Sequence, residues 1–249
     1  MRELVENGVD LSVWQTPAPR TANKGSFQLV FVGRLVDCKC VDLLLQAFEP
    51  VVERTPARLC IIGDGAERAR LERRVDELNL GDCVSFKGWL TQHECAQRLE
   101  AADVLVLPSM LECGSAVVLE AMATGLPVIA TNWGEPADYL DSSSGILVDP
   151  LPRKAFITGL TAAMPRLAES TEERRRMGES TRSRVVEKFD WEKKVGSMID
   201  TIGRQFVART AAAERSTQSS SSLDIGVVQK KQRLRRRIIR GAPVDASIS

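Results

Sequence analysis

Short apolar runs alternate with amphipathic stretches between residues 28 and 150. Apolar runs bounded by Gly, Pro or polar residues predict buried strands, and helical periodicity between them predicts helices. Strands that are apolar on both faces and separated by helices are typical of a parallel sheet covered on both sides. The pattern therefore predicts a doubly wound α/β domain. The predicted strands span 28–33, 58–63, 83–88, 103–109, 127–131 and 145–150, and the predicted helices span 41–54, about 66–78, about 91–101 and about 115–124.

The pattern changes after this region. Residues 152 to 209 are highly charged with few strand signals, and the run EERRRMGESTRSRVVEKF predicts an amphipathic helix whose charges form a solvated face. From Ala211 onward the chain carries eight Lys or Arg and three Asp or Glu, with SSSS and KKQRLRRR but no core pattern. Residues 210–249 are therefore expected to form a disordered basic tail.

The tail leaves a second class of function open, a binding or regulatory protein that contacts nucleic acid or an anionic membrane. KKQRLRRRII lacks aromatic side chains for base stacking, so a solvated tail is favoured and nucleic acid is disfavoured as a partner. Six cysteines without a CxxC pair and a single histidine, His93, argue against a zinc or disulfide framework. His93 stands at a predicted helix start and is expected to be a surface or capping residue. No signal peptide or apolar run of about 20 residues is found, so a cytoplasmic protein is expected, with peripheral association at the inner membrane face left open.

Glycines and cations follow three of the predicted strands. In open α/β sheets, ligands bind at the carboxyl ends of the strands, where glycines admit backbone amides and cations neutralise phosphate. A diphosphate suits such a rim, although GDG alone is more often a plain turn, and Arg34 and Lys39 alone could be surface cations. The segments are GRLVDCK with Gly33, Arg34 and Lys39, GDGAER with Gly63 and Gly65, and PSMLECGS with Gly114 and Ser115.

Two carboxylates, Glu112 and Glu120, flank the small-residue run before and inside the fourth predicted helix. Glu120 stands among apolar residues, so its burial is expected, and a buried carboxylate needs partners. A pair of vicinal hydroxyls would serve. A loop acid plus an acid that interacts with the helix dipole explains the same spacing equally well.

At these residues the chain resembles glycosyltransferase family 4, the group 1 glycosyl transferases of GT-B fold. The resemblance is carried by FVGRLVDCKCVDLLLQAF, IIGDGAERARLE, VSFKGWL, ADVLVLPSMLE, VVLEAMATGLPVIAT and SGILVDP, in the family's order over residues 27 to 150. It implies a Rossmann-like, nucleotide-sugar-binding domain over 27–209, the C-terminal half of a GT-B fold. Residues 1–26 then resemble a remnant of the linker from an N-terminal acceptor domain.

The resemblance also implies roles for individual residues. Glu112 would face the donor sugar, Glu120 would hold the ribose hydroxyls, and Arg34 and Lys39 would bind the diphosphate and stabilise the leaving group. The remaining donor contacts would come from Gly33, Gly63, Gly114, Ser115, Ala116 and Val117, with Gly88, Trp89 and Leu90 near the base. The family retains the anomeric configuration and needs no metal, so no cofactor is expected. The donor would be a UDP- or GDP-sugar, and the acceptor could belong to polysaccharide, lipid-linked glycan or glycoconjugate synthesis.

The chain departs from the family at several places. The family usually has Gly at Cys40, often Phe-Gly at Gly114 and Ser115, and commonly a second Gly at Glu135. Glu135 could repel a donor phosphate or bind a sugar hydroxyl. No acceptor domain precedes the linker-like ELVENGVDLSVW, so the expectation is half an enzyme, with little transfer of its own. A nicotinamide-dependent enzyme is disfavoured because GRLVDCK lacks GxGxxG.

Overall fold

The computed structural model describes residues 7–14, 25–112 and 114–204. The chain divides into two compact units, Met1–Lys194 and Val195–Ser249. In the second unit, residues 195–204 are helical, and the Ile199 and Ile202 side chains are exposed. The predicted basic tail, 210–249, lies outside the described residues. Within those residues, no helix is both long enough and apolar enough to cross a lipid bilayer.

The first unit is built on a six-stranded sheet in which every strand pair is parallel. The spatial order is β3-β2-β1-β4-β5-β6, so the chain winds outward from β1 to β3 and then returns to place β4 on the other side of β1. This confirms the doubly wound sheet. The strands are β1 Phe27–Val32, β2 Ala57–Ile62, β3 Val84–Phe86, β4 Val104–Leu107, β5 Val128–Thr131 and β6 Gly145–Val148.

Helices connect the strands, and each predicted helix is present. A 3-10 turn, Asp37–Lys39, precedes the first of them and was not predicted. The helix α5 was also missed because its five residues are too few for a periodic pattern. The helices are α1 Val41–Val52, α2 Arg68–Glu77, α3 Gln92–Ala101, α4 Ala116–Ala123, α5 Glu135–Tyr139, α6 Arg153–Glu169 and α7 Thr171–Lys188.

The core lies between the sheet and its helices. All four residues of β4 and all four of β5 are buried, as expected for strands covered on both faces. In α4, which follows β4, the side chains of Val118, Leu119 and Ala121 are fully buried in the core. The N-terminus of α4 is therefore held firmly at the carboxyl edge of the sheet.

The charged helix α7 is less solvated than its sequence predicts. Met177, Gly178 and Val185 lie on its buried face. Three of its five arginines are only partly exposed, namely Arg174, Arg182 and Arg184. A Cβ on Gly178 would lie only 2.3 Å from the carbonyl oxygen of Gly125, directly after α4. The absence of a side chain at Gly178 thus lets α7 approach the end of α4 closely.

The segment 7–14 packs against the end of the same unit. Val9 forms a parallel β-bridge with Asp190, with its amide 2.8 Å from the Phe189 carbonyl oxygen. The side chains of Val9 and Trp14 are buried. This segment therefore belongs to the folded body and reaches, through Asn7, the loop that follows β4.

Candidate functional site

The candidate site lies at the switch point of the sheet, between β1 and β4. These two strands are neighbours, but their connections leave the sheet in opposite directions, which opens a crevice at their carboxyl ends. The loop Gly33–Cys40 follows β1, and the loop Pro108–Ser115 follows β4. The amide of Met110 donates a hydrogen bond to the carbonyl of Cys38 at 2.9 Å, which ties the two loops together.

Lys39 and Glu112 meet across this crevice. The Lys39 Nζ lies 2.6 Å from the Glu112 Oε1, and the two side chains are 18% and 7% exposed. The sequence predicts Lys39 and Glu112 only as separate ligand groups, whereas in the structure they form a partly buried ion pair. Such a pair keeps both charges compensated until a ligand offers other partners.

Arg34 differs from Lys39 in that its guanidinium is exposed. Among the residues that the structure describes, its side chain has no ion pair or hydrogen bond. The guanidinium of Arg34, at the open rim of the crevice, can donate hydrogen bonds to two oxygens of an anion without breaking an existing contact.

Two predicted glycines bring the first two strand ends close together. A Cβ on Gly63 would lie 2.0 Å from the carbonyl oxygen of Gly33, and Gly63 has φ +125°. The Gly63 amide donates to the carbonyl of Gly88 at 2.8 Å. The glycines therefore have a structural function in joining the loops after β1, β2 and β3.

At two positions where the family has glycine, this chain has another residue but keeps the backbone conformation that glycine adopts easily. Cys40 has φ 50° and Ser115 has φ 34°, both in the left-handed region. Cys40 precedes α1 and Ser115 precedes α4. The loop shape is therefore retained, at the cost of backbone strain that glycine would avoid. Burial raises the pKa of the Cys40 thiol to about 11, with a further contribution from the nearby Asp42.

The N-terminus of α4 presents backbone donors to the crevice that have no acceptor among the described residues. The first amides of a helix have no intrahelical acceptor, and here they belong to Ser115, Ala116 and Val117. Ser115 provides no side-chain cap, and its buried hydroxyl has no partner among the described residues. Ala116 is exposed, so this helix end is open to a ligand, as the sequence predicts.

Gly114 is held by three distant side chains. Its amide donates to the Glu135 Oε1 at 3.1 Å, and its carbonyl accepts from the Asn7 Nδ2 at 2.9 Å and from the Tyr139 hydroxyl at 3.2 Å. Sequence reasoning missed Asn7 and Tyr139 here because the contacts join positions 107 and 25 residues apart. It noted Glu135 as a departure from the family that could repel a phosphate or bind a sugar hydroxyl, but not its contact with Gly114.

Glu120 lies in the second turn of α4 with its side chain partly buried. Burial raises its pKa to about 7. No hydrogen bond or ion pair joins its carboxylate to another described residue. It contributes to raising the pKa of the Cys95 thiol, which places it near α3. The burial predicted for Glu120 is confirmed, and the carboxylate still lacks the partners that burial demands.

The predicted base-binding segment follows β3. Trp89 is 69% exposed, whereas Leu90 is partly buried against the core. Thr91 then begins α3 with a reciprocal hydrogen-bonded cap to Glu94. His93 is exposed on α3, with a ring nitrogen 3.1 Å from the Gln97 Nε2, so it is the surface residue that the sequence predicts.

The fold of the chain agrees with comparisons to known proteins. The family model described as glycosyl transferases group 1 matches residues 12–184. The chain belongs to this family, a class of transferases with the GT-B architecture.

Several relatives are similar along most of this chain. The MMP alpha-(1→4)-mannosyltransferase of Mycolicibacterium hassiacum is 30% identical over 211 residues, which are 84% of this chain and 49% of that protein. The sucrose-phosphate synthase of Thermosynechococcus elongatus superposes with a TM-score of 0.71 at 30% identity, over 81% of this chain and 52% of that one.

A third comparison shows likeness of fold alone. HepE of Anabaena, in a crystal structure with UDP-glucose, superposes with a TM-score of 0.68 at 20% identity, over 79% of this chain and 56% of that one. The present chain spans about half the length of the relatives that it matches.

Proposed function

We propose that this chain is the donor-binding half of a retaining hexosyltransferase and binds a nucleotide-sugar in the crevice between β1 and β4. The observation that carries the proposal is Glu120, a partly buried carboxylate without a partner among the described residues. A ribose offers two adjacent hydroxyl donors, which would satisfy such a carboxylate with charge-assisted hydrogen bonds. The HepE complex with UDP-glucose supports a ligand of this class for the fold.

The other groups of the crevice suit the rest of the donor. Arg34 and Lys39 would bind the diphosphate and stabilise the negative charge that develops on it as the glycosidic bond breaks. The open amides of Ala116 and Val117 would supply further donors to the phosphate or the sugar. The exposed ring of Trp89 would lie against the base.

Donor binding would reorganise the pair formed by Lys39 and Glu112. When a phosphate takes the Lys39 ammonium, Glu112 loses its partner and needs new donors. The hydroxyls of the donor sugar would provide them. The ion pair of the ligand-free chain would therefore keep both groups near the positions in which they contact the donor.

The acceptor and its catalytic contributions would come from a further domain, since the chain spans about half of its relatives. We therefore expect nucleotide binding by this chain alone and little or no transfer. Detectable transfer to a defined acceptor by the purified chain would contradict that expectation.

The decisive experiment is calorimetric titration of UDP, GDP and ADP into the purified chain and into Glu120→Ala. We expect one nucleotide to bind and the variant to weaken it about tenfold or more, because charge-assisted hydrogen bonds contribute about 1.5–3 kcal/mol. Glu49→Ala, near the far end of α1, is the matched control and should leave the affinity unchanged. Failure of a folded chain to bind any of the three would refute the proposal.

A further inference from the structure

Glu135 accepts the hydrogen bond of a backbone amide at the edge of the crevice. Its Oε1 lies 3.1 Å from the Gly114 amide, in the loop that joins Glu112 to the N-terminus of α4. Any ligand oxygen that approached this amide would lie where the Glu135 carboxylate lies. The Glu135 carboxylate thus occupies one backbone donor of the crevice that could bind an anion, and it places a negative charge there.

The carboxylate retains binding capacity after this contact. An ionised carboxyl group has about four acceptor positions, and the structure assigns one of them to Gly114. Glu135 is only partly buried, and the Gly134 before it has open space around its Cα. The free positions suit hydroxyl donors and repel a second carboxylate.

The local charge has the same sign on both sides of Gly114. Glu112 precedes it by two positions, and its charge is compensated by Lys39 only while that cation is not engaged elsewhere. Glu135 has no cation within salt-bridge distance among the described residues. Once phosphate engages Lys39, a ligand at this loop meets two carboxylates.

We infer that Glu135 is a specificity-determining residue that selects a neutral, hydroxyl-bearing donor sugar against an anionic one such as a uronate. The inference rests on the proposed function, because it concerns the sugar of a nucleotide-sugar in this crevice. It goes beyond that function by assigning the chemical class of the sugar and a residue that excludes the alternative.

The experiment compares two donors that differ only at C6, UDP-glucose and UDP-glucuronate, with UDP as the reference. If GDP is the nucleotide bound, GDP-mannose and GDP-mannuronate replace them. Affinities are measured by calorimetry on the wild-type chain, Glu135→Gln and Asp138→Asn. Gln keeps an acceptor for the Gly114 amide and removes only the charge, and Asp138 is an exposed acid on the same helix.

We expect the wild-type chain to bind the neutral donor about tenfold more tightly than the uronate, as for like charges at close range. Glu135→Gln should reduce this ratio to about threefold or less and leave UDP affinity unchanged, while Asp138→Asn changes neither. The wild-type ratio is informative by itself, so the test does not depend on the folding of a variant. Circular dichroism of each variant checks the fold.

Three results would overturn the inference. The first is equal binding of both donors by the wild-type chain, and the second is an unchanged ratio in Glu135→Gln. Equal weakening of UDP and both sugars by Glu135→Gln would show that the residue only supports the loop. In each case, binding of UDP would still support the proposed function. Absence of all nucleotide binding would refute both the proposed function and the inference about Glu135.

Discussion

The unpaired carboxylate of Glu120 should make the stability of the ligand-free chain depend on pH. Burial raises its pKa from 4.5 to about 7. Between these values the folded chain holds a proton that the unfolded chain has released. The free energy of unfolding therefore decreases as the pH rises through this window and loses no more above it.

The substitution Glu120→Gln removes this titration while keeping the shape of the side chain. One pKa unit corresponds to about 1.4 kcal/mol, so the full difference amounts to roughly 3 kcal/mol. We expect the variant and the wild-type chain to be similarly stable near pH 4.5. At pH 8 the variant should be more stable by up to about 3 kcal/mol, because it no longer carries a desolvated charge.

Urea unfolding followed by circular dichroism at pH 4.5, 5.5, 6.5, 7.5 and 8.5, without nucleotide, measures this difference. Other titrating groups are common to both chains and cancel in the comparison. Glu49→Gln is the control, and its free energy of unfolding should differ from that of the wild-type chain by the same amount at every pH. A stability difference that stays constant across the range, or that favours the wild-type chain at high pH, would refute the reasoning.

Three further results are expected. The affinity of the chain for its nucleotide should increase from pH 6 to 8 and become nearly flat in Glu120→Gln, because ribose binds the ionised carboxylate; calorimetry in matched buffers measures this. Gly178→Ala should lower the free energy of unfolding by about 1–3 kcal/mol, since its methyl group would overlap the Gly125 carbonyl, and a urea midpoint unchanged from wild type would contradict that. Asn7→Ala should cost about 1 kcal/mol through its lost bond to Gly114, measured in the same way.

The sheet could be predicted because buried parallel strands leave continuous apolar runs in the sequence. β4 and β5 are buried at every position, and the pattern located both to within two residues. The pattern failed where local periodicity carries no signal. α5, which was missed, has only five residues, whereas α7 was predicted as an amphipathic helix and is present.

The candidate site could be predicted as a set of residues but not as a set of contacts. Glycines and cations after strands must lie at one edge of a parallel sheet, which is why Arg34, Lys39 and Glu112 could be placed near one another. The direct pairing of Lys39 with Glu112 depends on the side-chain geometry of two residues that are 73 positions apart in the sequence. The Gly114 contacts with Asn7 and Glu135 are likewise long-range, so no local pattern indicates them.

The parallel bridge between Val9 and Asp190 has a consequence for recombination. The chain enters the folded body and leaves it at adjacent points, with the Trp191 amide 3.1 Å from the Val9 carbonyl oxygen. A segment whose two junctions adjoin can be transplanted between larger proteins as a cassette, because its host has to supply only one pair of neighbouring attachment points. Chimeras cut at these two positions would exchange the whole crevice in a single step.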